Sequence, residues 1–190
     1  MTCSICNDVK IDGAVCPYCN APKKRLLNAG SGGASELPEA FAGFEHVRLD
    51  ISPEVEPDIV ASLTDMGEIG RFDVVLCSHA LEHLYPHEAV PALKEFWRVL
   101  KLQGHCVIFV PDLEGIMANE LVLYHDQTGP ISGLDLIYGH RRHMVGQPHM
   151  AHHNGFTKAT LTEALLEAGF AKAECSRQNG YNLMGVGIKA

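Results

Sequence analysis

Leu26-Leu-Asn-Ala-Gly-Ser-Gly-Gly33 is the stretch that decides the fold, because an apolar run is followed there by three glycines in four residues. The run over 25–28 predicts a buried strand, and the glycines predict a turn into a helix over 35–43. Glycine permits positive φ and lets a ligand approach the backbone closely. The turn is therefore a candidate binding loop, although by itself it is equally typical of a plain strand-to-helix connection.

Outward from this turn, the sequence alternates between strand and helix patterns. We predict strands at 46–51, 58–63, 72–77, 105–110, 170–177 and 181–188, and helices at 87–101 and 158–168. This order predicts an α/β, Rossmann-like sheet of seven mostly parallel strands. Asn179-Gly180 is a hairpin signal between the last two strands, so one strand near the C-terminus should run antiparallel.

Two further segments are less regular. We predict a helix over 113–124 and a long loop or lid over 126–156, where Gly, Pro and His cluster without a clear period. The helix at 158–168 is expected to begin with a capping box formed by Thr160 and Glu163.

Polar residues follow the strands at the edge where ligands of such sheets bind. Asp50 ends the second strand 20 residues after Gly30, the separation typical of a carboxylate that binds ribose hydroxyls. Together, the turn and Asp50 favour an adenosine-containing cofactor. Ser35 takes the last position of a Gly-x-Gly-x-x-Gly pattern, which argues against a nicotinamide site, and no Gly-Lys-Ser/Thr phosphate loop occurs.

The N-terminus carries two Cys-x-x-Cys pairs, formed by Cys3, Cys6, Cys16 and Cys19. Four thiolates at this spacing favour a closed, structural Zn²⁺ site, so we predict a small zinc ribbon over 1–22 and a second domain over 23–190. Iron, a redox pair and disulfides are the alternatives, and disulfides are disfavoured because no export signal is visible. The other cysteines, Cys77, Cys106 and Cys175, lie in apolar runs and are predicted to be core residues.

Charge and hydropathy narrow the class of partner. With +2 on residues 1–25 and +3 on residues 140–190, the segment 26–139 carries the −13 that gives a total of −8. Such an acidic body disfavours a wide nucleic-acid surface. The sequence has neither an apolar run long enough to cross a bilayer nor a secretory signal, so we expect a cytoplasmic protein that does not bind membranes.

Three stretches resemble a known family. The segments 26–33, 72–84 and 95–104 are similar to class I S-adenosylmethionine (SAM)-dependent methyltransferases of the methyltransferase type 11 kind, with Leu102-Gln103 in place of the usual Pro-Gly. The resemblance implies the seven-stranded sheet and SAM as cofactor. It implies that the methionine part lies on the glycine turn, the ribose on Asp50 and the adenine beside Asp65 and Met66. The candidate cofactor-binding residues are Asn28, Gly30, Ser31, Gly32, Asp50, Asp65, Met66 and Ser78.

Methyl transfer from a sulfonium needs alignment, and it needs a base only if the acceptor must lose a proton. Imidazoles suit that role, and the candidates are His79, His83 and His140. For Glu82 and His83 we favour the simpler interpretation that they cap and brace the turn after the fourth strand.

The segment 140–153 holds five histidines and two arginines. It is interpreted as contacting the substrate, as a solvated loop or as a second metal site. Arg141 and Arg142 would suit a carboxylate or phosphate. Metal binding is the weakest of these readings, because no carboxylate lies between the histidines.

The sequence thus predicts a methyltransferase acting on a small-molecule or protein-bound acceptor. Two alternatives stay open. One is methylation of ribosomal or transfer RNA, for which Lys23, Lys24 and Arg25 beside the ribbon would contact phosphate. The other is a non-catalytic adaptor that docks onto a protein partner through the ribbon and does not need a cofactor rim.

Overall fold

A computed structural model describes residues 22–126, 129–142, 144–178 and 180–190. Its main element is a seven-stranded sheet in the order β3-β2-β1-β4-β5-β9-β8. The strands of this sheet are β1 (Arg25–Ala29), β2 (Glu45–Asp50), β3 (Ile59–Val60), β4 (Phe72–Ser78), β5 (Leu100–Pro111), β8 (Lys172–Arg177) and β9 (Asn182–Ile188). The other elements are the hairpin strands β6 (Val122–Asp126) and β7 (Gly129–Ser132), and the helices α1 (Pro86–Val99), α2 (Gly133–Tyr138) and α3 (Lys158–Glu167).

Strand direction follows the prediction. The pairs from β3 to β5 are parallel, and β9 runs antiparallel to both of its neighbours, β5 and β8. The mostly parallel α/β sheet with an antiparallel strand near the C-terminus is therefore confirmed. Because β9 is reversed, its first residues lie at the same edge as the carboxyl ends of the parallel strands, and Asn182 pairs with Pro111.

The core is built on both faces of the central strands, whose side chains alternate between them. On one face, Leu27, Val75 and Ile108 pack with α1 and α3 in the main cluster. The opposite face carries a smaller cluster of Leu26, Val74, Leu76 and Val107, which is covered by side chains from the 37–44 segment. One face is thus covered by helices and the other largely by a connecting segment.

The predicted helix over 35–43 is wrong, because this segment contains a single 3-10 turn, Glu39–Phe41. Leu37, Phe41 and Phe44 have helical spacing, but they reach this sheet face from a segment of turns and bends with one 3-10 turn. Pro38 explains the difference, because a proline disfavours helical backbone in the residue before it.

The predicted helix over 113–124 is also wrong: residues 113–121 form turns, and β6 begins at Val122. Two side chains compete with a helix here. The Asp112 carboxylate accepts from the Glu114 amide, and the Asn119 side chain accepts from the Leu121 amide.

The boundaries of other elements shift as well. The segment predicted as a long loop over 126–156 contains β7, α2 and a 3-10 turn at Pro148–Met150. Helix α3 begins one turn before the predicted capping box, because Thr157 is its N-cap and its hydroxyl accepts from the Thr160 amide at 3.3 Å. Strand β3 is reduced to two residues.

Among the described residues, no helix is long and apolar enough to cross a membrane.

Residues 113–156 form an insertion between β5 and α3, and a buried carboxylate holds it together. Asp135 accepts from the Ser132 hydroxyl at 2.6 Å, from the Ser132 amide at 3.0 Å and from Arg141 Nε at 3.1 Å. Burial by itself would raise the pKa of Asp135, but these hydrogen bonds outweigh it and lower the pKa to about 2.

Asp135→Asn is expected to destabilise the protein by about 2 kcal/mol at pH 7, because a lowered carboxyl pKa stabilises the fold above its ordinary value of 3.8. That contribution is lost as pH falls through about 4 towards 2, so the two proteins should converge there. Urea unfolding across this pH range measures the difference. Glu120→Gln is the matched control, since Glu120 pairs with the same Arg141 but is exposed. Equal losses in both variants would contradict the prediction.

Candidate functional site

The glycine turn after β1 is fixed to the end of β2. The Gly30 and Ser31 amides both donate to the Leu49 carbonyl, at 2.8 and 3.0 Å. Gly30 and Gly32 adopt positive φ, +73° and +50°, as the turn requires. The turn is therefore held against the end of the strand that carries Asp50.

Asp50 and the turn are in direct contact. One oxygen of the Asp50 carboxylate accepts from the Gly32 amide at 2.8 Å, and the other accepts from the Ser52 amide at 2.9 Å. Each oxygen keeps a second lone pair that can accept a ligand hydroxyl. The structure thus brings together the two features that the sequence placed at one rim.

Space beside the turn is open on one side and filled on the other. A Cβ added at Gly32 or Gly33 would meet nothing within 4 Å. One added at Gly30 would lie 2.4 Å from the Ala80 Cβ and 3.8 Å from Leu63 Cδ1. The segments that follow β1, β3 and β4 therefore meet at Gly30, and the Gly32 side is accessible to a ligand.

The remaining residues predicted to bind cofactor differ in their surroundings. Asn28 and Ser31 are buried, while Ser78 at the end of β4 is exposed. Asp65 is exposed, but Met66 is buried.

The turn that carries Met66 is anchored to α1. The Met66 amide donates to Glu95 at 2.9 Å. Glu95 forms an ion pair with Arg98, and the hydrogen bond from Arg98 lowers the pKa of Glu95.

A cavity of about 700 Å³ lies between the ends of β4 and β5, the start of β9 and the insertion. All three predicted base candidates, His79, His83 and His140, line it. His79 has φ +51°, a conformation that is rare outside glycine, and its amide donates to the Phe109 carbonyl at 2.8 Å. This strained residue is one of those that line the cavity.

Glu82 lies at the wall of this cavity and is only 1% exposed. One carboxylate oxygen lies 3.2 Å from His79 Nδ1, and the other has no hydrogen-bond partner among the described residues. The Glu82 carbonyl accepts from the His153 and Asn154 amides. Glu82 therefore does not cap its own turn through the carboxylate. It holds the insertion through its backbone carbonyl, and one carboxylate oxygen stays buried without a partner among the described residues.

His83 and His152 are neighbours in this wall, with ring centroids 5.1 Å apart. His83 Nδ1 donates to the Ala151 carbonyl at 3.1 Å, and His152 Nδ1 donates to the Leu136 carbonyl at 2.9 Å. Burial lowers the pKa of His152, which favours its neutral form. His83 therefore braces the insertion as well as the turn on which it lies.

The basic residues of 140–153 are largely engaged within the insertion. Arg141 binds Glu120 and Asp135, and Arg142 donates to the Pro130 carbonyl. His140 lies 3.8 Å from Asp126. The rest are dispersed: His153 stacks on Tyr85, His149 is exposed, and His143 lies outside the described residues. The arginines thus support the insertion, which weakens the interpretation that they bind an anion.

Sequence reasoning missed the far wall of the cavity, which includes Tyr124, Tyr181 and Asn182. The tyrosine rings stack at 5.9 Å, and Asn182 Oδ1 is buried without a partner among the described residues. The sequence did contain a signal for these residues. A last strand that runs antiparallel to the others must begin at the edge where the parallel strands end, so the polar residues after Asn179-Gly180 lie at that edge.

The predicted zinc ligands Cys3, Cys6, Cys16 and Cys19 lie outside the described residues. The other cysteines are buried, as expected of core residues. Burial raises the pKa of the Cys106 thiol to about 12, and it raises that of Cys77 further. Neither thiol is suited to act as a nucleophile.

Comparison with known proteins supports a methyltransferase fold. Residues 27–108 match the family model described as a methyltransferase domain. No curated protein matches the chain by sequence.

Among solved structures, an O-methyltransferase family protein from Burkholderia thailandensis superposes with a TM-score of 0.62 at 14% identity, over 88% of this chain and 51% of that one. A 1,6-didemethyltoxoflavin-N1-methyltransferase from the same organism, with S-adenosylhomocysteine bound, gives 0.57 at 16% identity, over 88% and 72%. Human N-acetylserotonin methyltransferase, in complex with SAM, gives 0.59 at 15%, over 87% and 47%.

The chain therefore spans about half the length of the first and third of these proteins. At such identities the likeness shows a shared fold.

Proposed function

We propose that this protein is a SAM-dependent methyltransferase that methylates a small-molecule acceptor. The observation that carries the proposal is the 2.8 Å hydrogen bond between Asp50 and the Gly32 amide. It joins a ribose-binding carboxylate and a glycine turn at one rim of the sheet, which is where open α/β sheets bind nucleosides.

The residues at the rim fit SAM. Gly30, Ser31 and Gly32 offer backbone to the methionine part, and the open side of Gly32 leaves room for it. Asp50 accepts the two ribose hydroxyls, and Asp65 with Met66 borders the adenine. Asn28 and Ser78 complete the set at the strand ends. When bound, SAM supplies the electrophilic methyl group, while the chain supplies alignment and exclusion of water.

The 700 Å³ cavity is the proposed acceptor site, because it lies beyond β4 and its volume suits a small molecule. Two buried oxygens, Glu82 Oε2 and Asn182 Oδ1, lack partners in the described part of the chain. We assign Asn182 Oδ1 to a donor group of the acceptor, because buried polar atoms normally have a hydrogen-bond partner. The Glu82 carboxylate accepts from His79 Nδ1 and so leaves Nε2 as the acceptor nitrogen of that ring. His79, with His83 and His140 as alternatives, is the proposed base for an acceptor that loses a proton.

Calorimetric titration with SAM tests the first half of the proposal. We expect one site with a dissociation constant on the order of micromolar. No heat at millimolar SAM would instead favour the adaptor interpretation. Incubation with methyl-labelled SAM and pools of small hydroxylated or nitrogen-containing compounds then tests transfer. Label found only in added RNA would overturn the small-molecule assignment.

The N-terminal segment is proposed to be a zinc ribbon that docks a protein partner, on the strength of its four cysteines alone. Replacing Cys3, Cys6, Cys16 and Cys19 with serine is expected to lower the bound zinc by about one ion per chain. Elemental analysis of the purified protein measures this loss. An unchanged zinc content, or iron in its place, would contradict the prediction.

A further inference from the structure

We propose that Glu82, His83 and His152 bind a divalent transition-metal ion, such as Zn²⁺, at the wall of the acceptor cavity. One carboxylate oxygen and one ring nitrogen from each histidine lie within 4.8 Å of one another. Two histidines and one carboxylate are the ligands of many catalytic zinc sites and of non-haem iron sites. A metal with bonds of about 2.1 Å would need these atoms at roughly 3–3.5 Å, a small inward movement of the side chains.

The carboxylate provides independent evidence for a ligand. Glu82 is 1% exposed, and Oε2 has no partner in the described part of the chain. Leaving a charged oxygen buried and unpaired is costly, so such groups normally bind a counter-ion or a metal. The other oxygen is taken by His79, whose contact orients the carboxylate without neutralising Oε2.

Both histidines have the hydrogen-bonding pattern that is common for metal ligands. Each uses Nδ1 to donate to a backbone carbonyl, Ala151 for His83 and Leu136 for His152. A ring with its proton on Nδ1 carries the free lone pair on Nε2, and such outer hydrogen bonds fix the orientation of metal-bound imidazoles. The amides of His153 and Asn154 also donate to the Glu82 carbonyl, which holds the His152 segment against the carboxylate.

The arrangement leaves coordination positions open towards the cavity. Three protein ligands do not fill a four- or five-coordinate ion, and Glu82, His83 and His152 all line the acceptor cavity. The inference here rests on the proposed function: the ion would bind an acceptor hydroxyl or carboxylate oxygen and lower the pKa of a bound hydroxyl, whose proton would pass to His79. The O–CH3 bond would then form as the S–CH3 bond of SAM breaks, which leaves S-adenosylhomocysteine. Such a site narrows the acceptor to a compound with a metal-binding oxygen.

Zinc titration of metal-stripped full-length protein tests the site, with Glu82→Gln, His83→Gln and His152→Gln as the site variants and His153→Gln as the matched control. We expect each site variant to lose one zinc equivalent, or to bind it at least about 100-fold more weakly, and the control to retain it. Circular dichroism checks the fold of every variant. Wild-type protein soaked with zinc should also show an anomalous peak between the three side chains.

The proposal would be overturned if a folded Glu82→Gln protein bound as much zinc as the wild type. It would equally fail if the peak appeared in crystals while no equivalent was detected in solution. SAM titration of the same wild-type sample separates the two hypotheses. If the protein binds SAM but not this zinc equivalent, only the proposed metal site is contradicted. If it binds this zinc equivalent but not SAM, only the proposed function is contradicted.

Discussion

Asp50→Ala is expected to weaken SAM binding by at least about 100-fold, to the point where calorimetry records no heat at micromolar concentrations. The carboxylate has two roles at the rim. It is the proposed acceptor for both ribose hydroxyls, and hydrogen bonds to a charged group contribute about 1.5–3 kcal/mol each. It also holds the Gly32 and Ser52 amides, at 2.8 and 2.9 Å, so its removal frees the binding turn.

Two control variants isolate the effect of the Asp50 carboxylate on SAM binding. Asp50→Asn keeps the shape and one acceptor oxygen, so we expect an intermediate loss of SAM binding. Glu54→Ala removes an exposed carboxylate from the turn just after Asp50 and should leave the affinity unchanged. Thermal unfolding of each variant separates loss of the ligand site from loss of the fold. If folded Asp50→Ala bound SAM like the wild type, Asp50 would not be the ribose ligand.

The sequence was most informative where one physical signal dominates. Buried parallel strands read as continuous apolar runs, and β4 and β5 are recovered on that ground. Asn179-Gly180 correctly indicated a reversed last strand. The contact between Asp50 and the glycine turn was also predictable, because the carboxyl ends of adjacent parallel strands must meet at one edge.

The errors arise where a local pattern serves a tertiary contact. Leu37, Phe41 and Phe44 have helical spacing, yet their role is to cover a sheet face over which none of the described helices packs, and Pro38 prevents the helix. The spacing of apolar residues indicates which side chains are buried, but it does not determine the backbone conformation of the segment.

The proposed metal site was missed for a different reason. The sequence makes its histidines candidates for a functional role, but metal binding is the weakest interpretation there because no carboxylate lies among 140–153. The structure supplies that carboxylate from Glu82, on a 3-10 turn far upstream, through backbone hydrogen bonds to His153 and Asn154. Contacts between a short turn and an aperiodic insertion leave no repeat in the sequence, so only the three-dimensional structure brings them together.

Gly30→Ala is expected to destabilise the protein by roughly 2–5 kcal/mol, the largest effect on stability that we predict for a single methyl group. Two causes add. The backbone at Gly30 has φ +73°, which costs a residue with a Cβ about 1–2 kcal/mol. The new Cβ would also lie 2.4 Å from the Ala80 Cβ, and relieving such overpacking costs about 1–3 kcal/mol. Urea unfolding measures the change.

Gly33→Ala is the matched control, because it adds the same methyl group to the same turn without backbone strain and without a steric clash. The backbone there does not have positive φ, and a Cβ would meet nothing within 4 Å. We expect a change within about 0.5 kcal/mol, since stiffening the unfolded chain offsets small losses. Because Ala80 belongs to the segment that leads into Glu82 and His83, a shift forced at Gly30 should also move that wall of the 700 Å³ cavity, the proposed acceptor site. If Gly30→Ala had wild-type stability, the glycine turn would not be packed against the segment after β4. The proposed cofactor and acceptor sites would then not be coupled through this contact.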